Sequence, residues 1–463
     1  MLDPRSAKDT IAAIATPPGD GGVGIIRISG SRARDIAHAV FCAASPAFDD
    51  FEPYRLHYGH IQDPDGVELD DVLCAFMPGP RSYTGEDVAE INCHGGRAVL
   101  AAVLQETLRH GARLAERGEF TYRAFMNGRL DLSQAEAVAE MIHAPTRAAM
   151  HLAQVKLSGL LGLKIADLRT SLEALRAQMA VAVDFPEEEL ECLSPEELIQ
   201  TVDAVRKEIK LLLCAVDRTR AWREGALVVL AGRVNAGKSS LMNGLLGRNR
   251  AIVTDQPGTT RDYLEETLNL DGLAVRLADT AGIRATDDAV EAAGLAKGRE
   301  LMDQADLVIV LCDGTTPPDD EILATARDLD PKKTLAVLNK TDLPGFSLAH
   351  GEPFTELGLR TAGVSAKTGQ GLPQLCAMIR EQVLHGAGQP DTDVIAPNAR
   401  QAAMLAEADA ELAGLAEDAL AQVPYDLLSV RLETACNALA SITGEIAPAD
   451  VLNSIFDSFC IGK

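Results

Sequence analysis

The chain has 463 residues, 47% of them hydrophobic and 24% charged, with 43 Lys+Arg against 68 Asp+Glu for a formal net charge of −25. At ~100–200 residues per domain it has room for two to four domains, and its ordinary globular usage excludes a mainly disordered, collagen-like or disulfide-dense protein. So acidic a chain repels nucleic acid and anionic lipid as a whole, and any RNA contact must come from a local patch or a partner.

The nine cysteines run from Cys42 to Cys460 without a CxxC pair. That argues against a disulfide framework and a zinc site, and fits a reducing cytosol. The N-terminus lacks the ~7–15-residue apolar core of a signal peptide. No window reaches ~18 apolar residues, so no membrane span is expected and the cytoplasm is the expected compartment.

Residues 1–130 mix short β-like runs (Val23–Ile28, Val72–Met77) with Gly/Pro punctuation and read as an α+β domain. From Leu132 leucines and alanines recur at helical spacing, and Ser133 with Glu136 has the spacing of a capping box. Pro186 breaks the run; Ser194-Pro195-Glu196-Glu197 restarts it, and helix continues to about Arg223. Residues 225–385 alternate strands (Leu227–Ala231, Ala274–Ala278, Leu307–Cys312, Leu335–Leu338) with helices, the pattern of a doubly wound parallel α/β domain. From Pro390 the chain is helical again. Four segments result: 1–130, 131–224, 225–385 and 386–463. The favoured arrangement inserts the α/β domain between two halves of one helical domain, because neither helical stretch offers much core alone; the alternative is a row of independent domains.

Gly232-Arg-Val-Asn-Ala-Gly237-Lys238-Ser239 follows a strand and precedes a helix-like segment. Glycines let such a loop fold around phosphate, and N–H groups at the helix start point at it. Lys238 is expected to reach the β/γ-phosphates and Ser239 to hold Mg²⁺. In Asn339-Lys340-Thr341-Asp342 the Asp can accept from guanine N1–H and its 2-amino group, which adenine cannot offer. Ser365-Ala366-Lys367 stands where a supporting base loop is expected. Asp279-Thr280-Ala281-Gly282 can read Mg²⁺ and the γ-phosphate, and Gly258-Thr259-Thr260-Arg261-Asp262 supplies a second Mg²⁺-side threonine, Thr260. Each motif alone has a bland reading as a surface loop; five in order point to a GTPase. A Ras-like enzyme has a water-orienting Gln after the DxxG motif, and here that position is Ile283. Another group must orient water and another positive charge must stabilise the transition state. Arg284 and Glu291 lie nearby, either with these roles or as solvated switch charges.

With these motifs the chain resembles the MnmE (TrmE) family of tRNA-modification GTPases over essentially its whole length. The resemblance rests on DTIAAIATPPGDGGVGIIRISG, SYTGEDVAEINCHGG, GEFTYRAFMNGRLDLSQAEAV, the GTPase motifs and the C-terminal Cys460-Ile461-Gly462-Lys463. It implies a multidomain α/β fold: an N-terminal tetrahydrofolate-binding and dimerisation domain, a discontinuous α-helical domain, and an inserted Ras-like P-loop GTPase domain. It implies a homodimer, a heterocomplex with an FAD- and NADH-using partner, MnmG (GidA), and tRNA bound mainly through that complex. The reaction implied adds a carboxymethylaminomethyl or aminomethyl group to C5 of the wobble uridine. A tetrahydrofolate derivative (5,10-methylene or 5-formyl) supplies the one-carbon unit. K⁺ takes the place of an arginine finger, held by Asn235 with Thr254, Gln256 and Thr259. Ser239 and Thr260 match Mg²⁺ ligands, and Glu291 and Arg284 match switch residues. Ala236, Gly237, Ser240, Asp255, Pro257 and Gly258 fall in the nucleotide-contacting loops. Arg27, Glu90, Arg129 and Lys463 match positions near folate. Arg129 stands where the family often has Lys, which keeps the charge but not the geometry, and Val234 replaces a family-typical Pro. Cys460 is either a nucleophile or a small buried residue, and His94 is read as structural.

Two other readings compete with this K⁺-stimulated GTPase: a GTP-gated switch or scaffold in RNA or ribosome maturation, and a folate-dependent one-carbon transferase carrying an inherited GTPase. The N-terminal blocks and CIGK argue against the switch. Against the acidic trend, residues 109–129 hold Arg109, Arg113, Arg117, Arg123 and Arg129 with two glutamates. This strip is expected either to face folate or RNA, or to be a solvated helix face.

Overall fold

The computed structural model describes residues 9–184, 194–249, 265–279, 298–386, 388–389 and 393–463. The chain divides into two compact units: Met1–Ala139 with Lys156–Lys207 and Ala403–Lys463, and Glu140–Val155 with Glu208–Ala402. Among the described residues no helix is long and apolar enough to cross a membrane.

The first unit is built on a seven-stranded sheet. Its strands are β1 (Ile11–Ile14), β2 (Gly21–Ser29), β3 (Phe41–Ala43), β4 (Leu56–Gln62), β5 (Glu68–Met77), β6 (Val88–Gly95) and β7 (Arg113–Leu114), in the order β3-β4-β5-β6-β2-β1-β7. The expected runs Val23–Ile28 and Val72–Met77 lie inside β2 and β5. Alternation sets the faces: Ile26, Ile28, Ala89, Ile91 and Cys93 go inward and form a core with helices α1 (Ala33–Val40) and α2 (Arg97–Arg109). A short helix α3 (Glu119–Met126) follows β7.

The helices begin where capping chemistry dictates, with one change of frame. Asp131, not Ser133, caps α4 (Leu132–His143): its carboxylate accepts from Gln134 N at 2.8 Å while Gln134 Oε1 accepts from Asp131 N at 2.9 Å. Ser133 is buried one residue inside the helix. The expected box at Ser194 and Glu197 is present at the start of α7 (Pro195–Glu224), with reciprocal bonds of 3.2 and 3.1 Å. Asn398 and Gln401 form a third such box, at 2.9 Å each way, before helix Ala399–Leu420. The last helix, Ala449–Asp457, sets Phe456 edge-on against Tyr122 of α3, with ring centroids 5.3 Å apart.

The second unit holds the expected parallel sheet: β8 (Ala226–Ala231), β9 (Glu265–Leu270), β10 (Leu273–Asp279), β11 (Leu307–Asp313), β12 (Thr334–Asn339) and β13 (Arg360–Gly363), ordered β13-β12-β11-β8-β10-β9. All but β9 run parallel. β8 and β12 are buried at every residue, which is why they read as unbroken apolar runs instead of alternating ones. The chain leaves central β8 for β10 on one side and β11 on the other. Such a switch point leaves a crevice at the carboxyl ends of the strands.

The arginine strip divides: Arg113 and Arg123 turn into the fold, while Arg109, Arg117 and Arg129 are exposed. Arg113 bonds Asp9 and Glu119 at 2.7 Å each, and Arg123 bonds Asp9 at 2.7 Å, Glu119 at 2.9 Å and Glu86 at 3.2 Å. Glu119 is fully buried and Arg123 only 4% exposed. Arg109 pairs with Glu106. Two of the five arginines, Arg113 and Arg123, are therefore consumed inside the fold. Replacing Glu119 by Gln leaves two guanidiniums short of a buried counter-charge. Breaking one partner of a buried pair costs ~3–5 kcal/mol, so Glu119→Gln should move the urea unfolding midpoint of this unit clearly down by far-UV circular dichroism.

Candidate functional site

Strand register brings four of the sequence motifs to one end of the second unit. Asp279, at the end of β10, pairs with Leu230 of β8, two residues before Gly232. Asp313, at the end of β11, pairs with Asn339 of β12. The phosphate-type loop runs from Gly232 into helix α8 (Lys238–Asn249). Gly232 and Gly237 have φ of +145° and +99°, and Asn235 sits at +66°, in the left-handed region that Asn tolerates best after Gly. Lys238 is buried, and its Nζ donates to the carbonyls of Gly232 at 2.6 Å and Arg233 at 2.9 Å. Ser239 and Ser240 open α8 with exposed side chains, and Asp279 is only 3% exposed.

Asn339 joins three loops. Its Nδ2 donates to Ala236 O at 2.9 Å, and its Oδ1 accepts from Lys340 N at 2.8 Å and Ala366 N at 3.0 Å. The contact is close enough that a Cβ on Gly237 would lie 2.2 Å from Asn339 Nδ2. Thr341 N donates to Val364 O at 3.1 Å, closing the same two loops. Asp342 is exposed and accepts from the Ser365 hydroxyl at 2.6 Å. That bond, helped by the charge of Lys367, holds the Asp342 carboxyl below the usual carboxylate range. Ser365 is itself fully buried, so Asp342 is aimed rather than free to rotate. Thr254, Asp255, Gln256, Pro257, Gly258, Thr259, Thr260, Thr280, Ala281, Gly282, Arg284 and Glu291 lie outside the described residues.

The first unit gathers a second cluster. Arg27 of β2 faces Glu90 of β6 in register, with Nε to Oε1 at 2.8 Å. Its guanidinium lies 5.7 Å from the ring centroids of both Tyr83 and Phe120, and Nη1 donates to Gly462 O at 3.2 Å. The last four residues form a strap here. Ile461 bridges Arg117, Gly118 N donates to Cys460 O at 3.4 Å, and Phe120 N donates to Lys463 O at 3.3 Å. Gly462 is obligatory, because φ is +92° and a Cβ would meet Ile14 O at 2.3 Å. Half-burial, reinforced by the Arg27 guanidinium, lowers the pKa of the Lys463 ammonium. Cys460 is exposed. Arg129 stands apart from this contact set, its side chain exposed and its Cγ 3.1 Å from where a Cβ on Gly85 would stand. His94 is also exposed, held by Asp70 through Nδ1 at 2.6 Å and its backbone N at 2.7 Å. Sequence reasoning did not single out Tyr83 and Phe120. Both lie within the quoted N-terminal blocks, but only the fold shows that their rings flank Arg27.

Residues 132–460 match the family model of the MnmE helical domain, and residues 10–129 match that of the GTP-binding protein TrmE N-terminus. The chain is 56% identical to tRNA modification GTPase MnmE of Nitratidesulfovibrio vulgaris, over 98% of this chain and 99% of that protein. It is 47% identical to tRNA modification GTPase MnmE of Lawsonia intracellularis, over 98% of this chain and 100% of that protein. Among solved structures, an Era variant from Aquifex aeolicus bound to GDP·AlF4⁻ matches 40% of this chain and 66% of its own at 22% identity, with a TM-score of 0.28.

The strap is anchored by Phe456, fully buried among Tyr122, Leu132, Ala135 and Phe459. Truncating a buried Phe costs ~3–5 kcal/mol. Phe456→Ala should therefore free residues 460–463, read as faster amide exchange at Gly118 and Phe120, whose N–H groups the strap holds.

Proposed function

The chain belongs to the MnmE (TrmE) family of tRNA-modification GTPases, and we propose that it hydrolyses GTP as one half of a complex that modifies the wobble uridine of tRNA. The observation that carries the GTPase reading is the convergence of Lys238, Asn339, Asp342 and Asp279 on loops at the carboxyl end of one sheet. The donor set fits a Mg²⁺-nucleotide: an ammonium at the loop, a hydroxyl at Ser239, a carboxylate at Asp279, and a base-reading carboxylate at Asp342. Lys238 binds the β/γ-phosphates; Ser239, with Thr260, ligates Mg²⁺; Ser365, Ala366 and Lys367 support the base loop. Asp342 reads guanine through N1–H and the 2-amino group, and a purine lacking both would leave its carboxylate unpaired.

Ile283 offers no polar group to orient water. The extra positive charge the transition state needs is assigned to K⁺, with Asn235, Thr254, Gln256 and Thr259 around it, while Arg284 and Glu291 act from the switch. The exposed Asn235 at the crown of the loop supports this assignment.

The domains we propose are 1–130, a discontinuous helical domain of 131–224 and 386–463, and a GTPase domain of 225–385. Arg27, Glu90 and Lys463, with Arg129 nearby in sequence to α3, are the folate-binding set. The paired charges and flanking rings around Arg27 suit a flat, donor-rich pterin. A reduced folate bound there would supply the one-carbon unit. The residues of this chain orient it, and Cys460 is the candidate nucleophile. The cofactors FAD and NADH enter through an MnmG partner, which also brings most of the tRNA contact. The chain acts as a cytoplasmic homodimer. The match of residues 10–129 to the TrmE N-terminus supports this reading over a bare GTP-gated switch.

Nucleoside analysis of tRNA from a deletion strain should show loss of carboxymethylaminomethyl- and aminomethyl-uridine at the wobble position; unchanged wobble uridines would overturn the proposal. GTP turnover should be faster in K⁺ than in Na⁺, and Asn235→Ala should abolish that difference. Equal wild-type rates in the two salts would remove the cation from the mechanism.

A further inference from the structure

The segment Asp313-Gly-Thr-Thr-Pro-Pro-Asp319 follows β11 and contains none of the nucleotide motifs. It nonetheless touches two of them, one at each end. Asp313 Oδ2 accepts from Lys340 Nζ at 2.5 Å, and its Oδ1 is held by Thr315 through the backbone N at 3.0 Å and the hydroxyl at 2.7 Å. Asp319 accepts from Ile322 N at 3.0 Å, capping helix Asp320–Arg327, and its other oxygen pairs with the Arg233 guanidinium of the phosphate loop. Glu321 stands 3.8 Å from the same guanidinium.

The segment is itself fixed. Gly314 N donates to Asn339 O at 2.9 Å, and Gly314 O accepts from Ser347 N at 3.1 Å with His350 Nδ1 at 2.9 Å. A Cβ on Gly314 would meet the Phe346 ring at 2.5 Å and Asn339 O at 2.8 Å, so only glycine lets the segment lie this close to the base loop. Lys340 has φ of +72°, a conformation a long side chain rarely adopts without outside support.

We propose that Asp313 and Asp319 are positioning residues for guanine nucleotide, forming a two-point brace that holds the base loop by Lys340 and the phosphate loop by Arg233. This rests on the assignment of those loops to GTP. Asp313 fixes the direction of the Lys340 stem, and Asp319 fixes the outer edge of the phosphate loop. Neither carboxylate touches the nucleotide. The Asp313 pair is partly shielded, at 29% and 31% side-chain exposure, and charge-assisted, so it carries the larger share. The Arg233 pair, at 61% and 39%, is open to solvent and screened by salt.

The test measures release of a fluorescent GDP analogue and GTP turnover at saturating GTP on the full-length chain. Isosteric Asp313→Asn should speed release about tenfold while saturated turnover stays within about twofold and the melting temperature is unchanged. Asp319→Asn, which keeps a cap for Ile322 N but removes the charge facing Arg233, should speed release about threefold at low salt and lose that effect in 1 M KCl. Wild-type release rates in both single variants, with wild type binding normally, would overturn the brace. So would a fall in melting temperature that accounts for the whole effect, or persistence of the Asp319→Asn effect in 1 M KCl. Absence of nucleotide binding by wild type would instead overturn the assignment of the loops.

Discussion

Asn339 spends one buried carboxamide on three hydrogen bonds, to Ala236 O, Lys340 N and Ala366 N. The phosphate loop, the base loop and the supporting loop therefore share one rigid junction at the carboxyl ends of β8 and β12. An unpaired buried polar group costs ~1–3 kcal/mol, so the three loops cannot drift apart singly. Gly237 follows from this junction, since Nδ2 occupies the place a Cβ would need. The aim of Asp342 follows too, because Ser365 can reach it only while Ala366 stays tied to Asn339.

The first unit solves a different problem, which is how to hold charge inside an acidic protein. Residues 1–130 carry 13 basic against 18 acidic side chains, and residues 386–463 carry 3 against 12. The arginines of α3 and the strand before it are spent on Asp9, Glu86 and Glu119. What looked like one basic strip in one dimension holds, at Arg113 and Arg123, an internal neutralising network in three. Arg27 lies outside that network, paired with Glu90 and bonded to the Gly462 carbonyl. Arg113 and Arg123 therefore present little free positive charge to solvent.

The nucleotide loops were legible because each motif is a local consequence of a strand end, and strands β8 and β12 announce themselves as unbroken apolar runs. The frame of the cap at α4 was not, because Asp131/Gln134 and Ser133/Glu136 both satisfy a three-residue spacing. Burial of Ser133, a tertiary fact, decides between them. The brace at Asp313 and Asp319 was invisible for a related reason: each acid meets its partner, Lys340 or Arg233, only through sheet order. The tail was legible as a motif but not as a strap. Nothing in Cys460-Ile461-Gly462-Lys463 names Arg27, Gly118 or Phe120 as its partners.

That strap has a consequence for how the first unit is completed. The Arg27–Gly462 bond spans 435 residues, so the oldest part of the chain to emerge waits for the newest. Closing so long a loop is less costly than its length suggests, because each doubling adds only ~0.6 kcal/mol. The unit shortens the loop further. Arg206 Nε donates to Asp409 Oδ1 at 3.0 Å across 203 residues, holding together the points where the chain leaves this unit and returns to it. With that pair formed, everything between them drops out of the closure, and helix Ala399–Leu420 can lead the chain back toward the sheet.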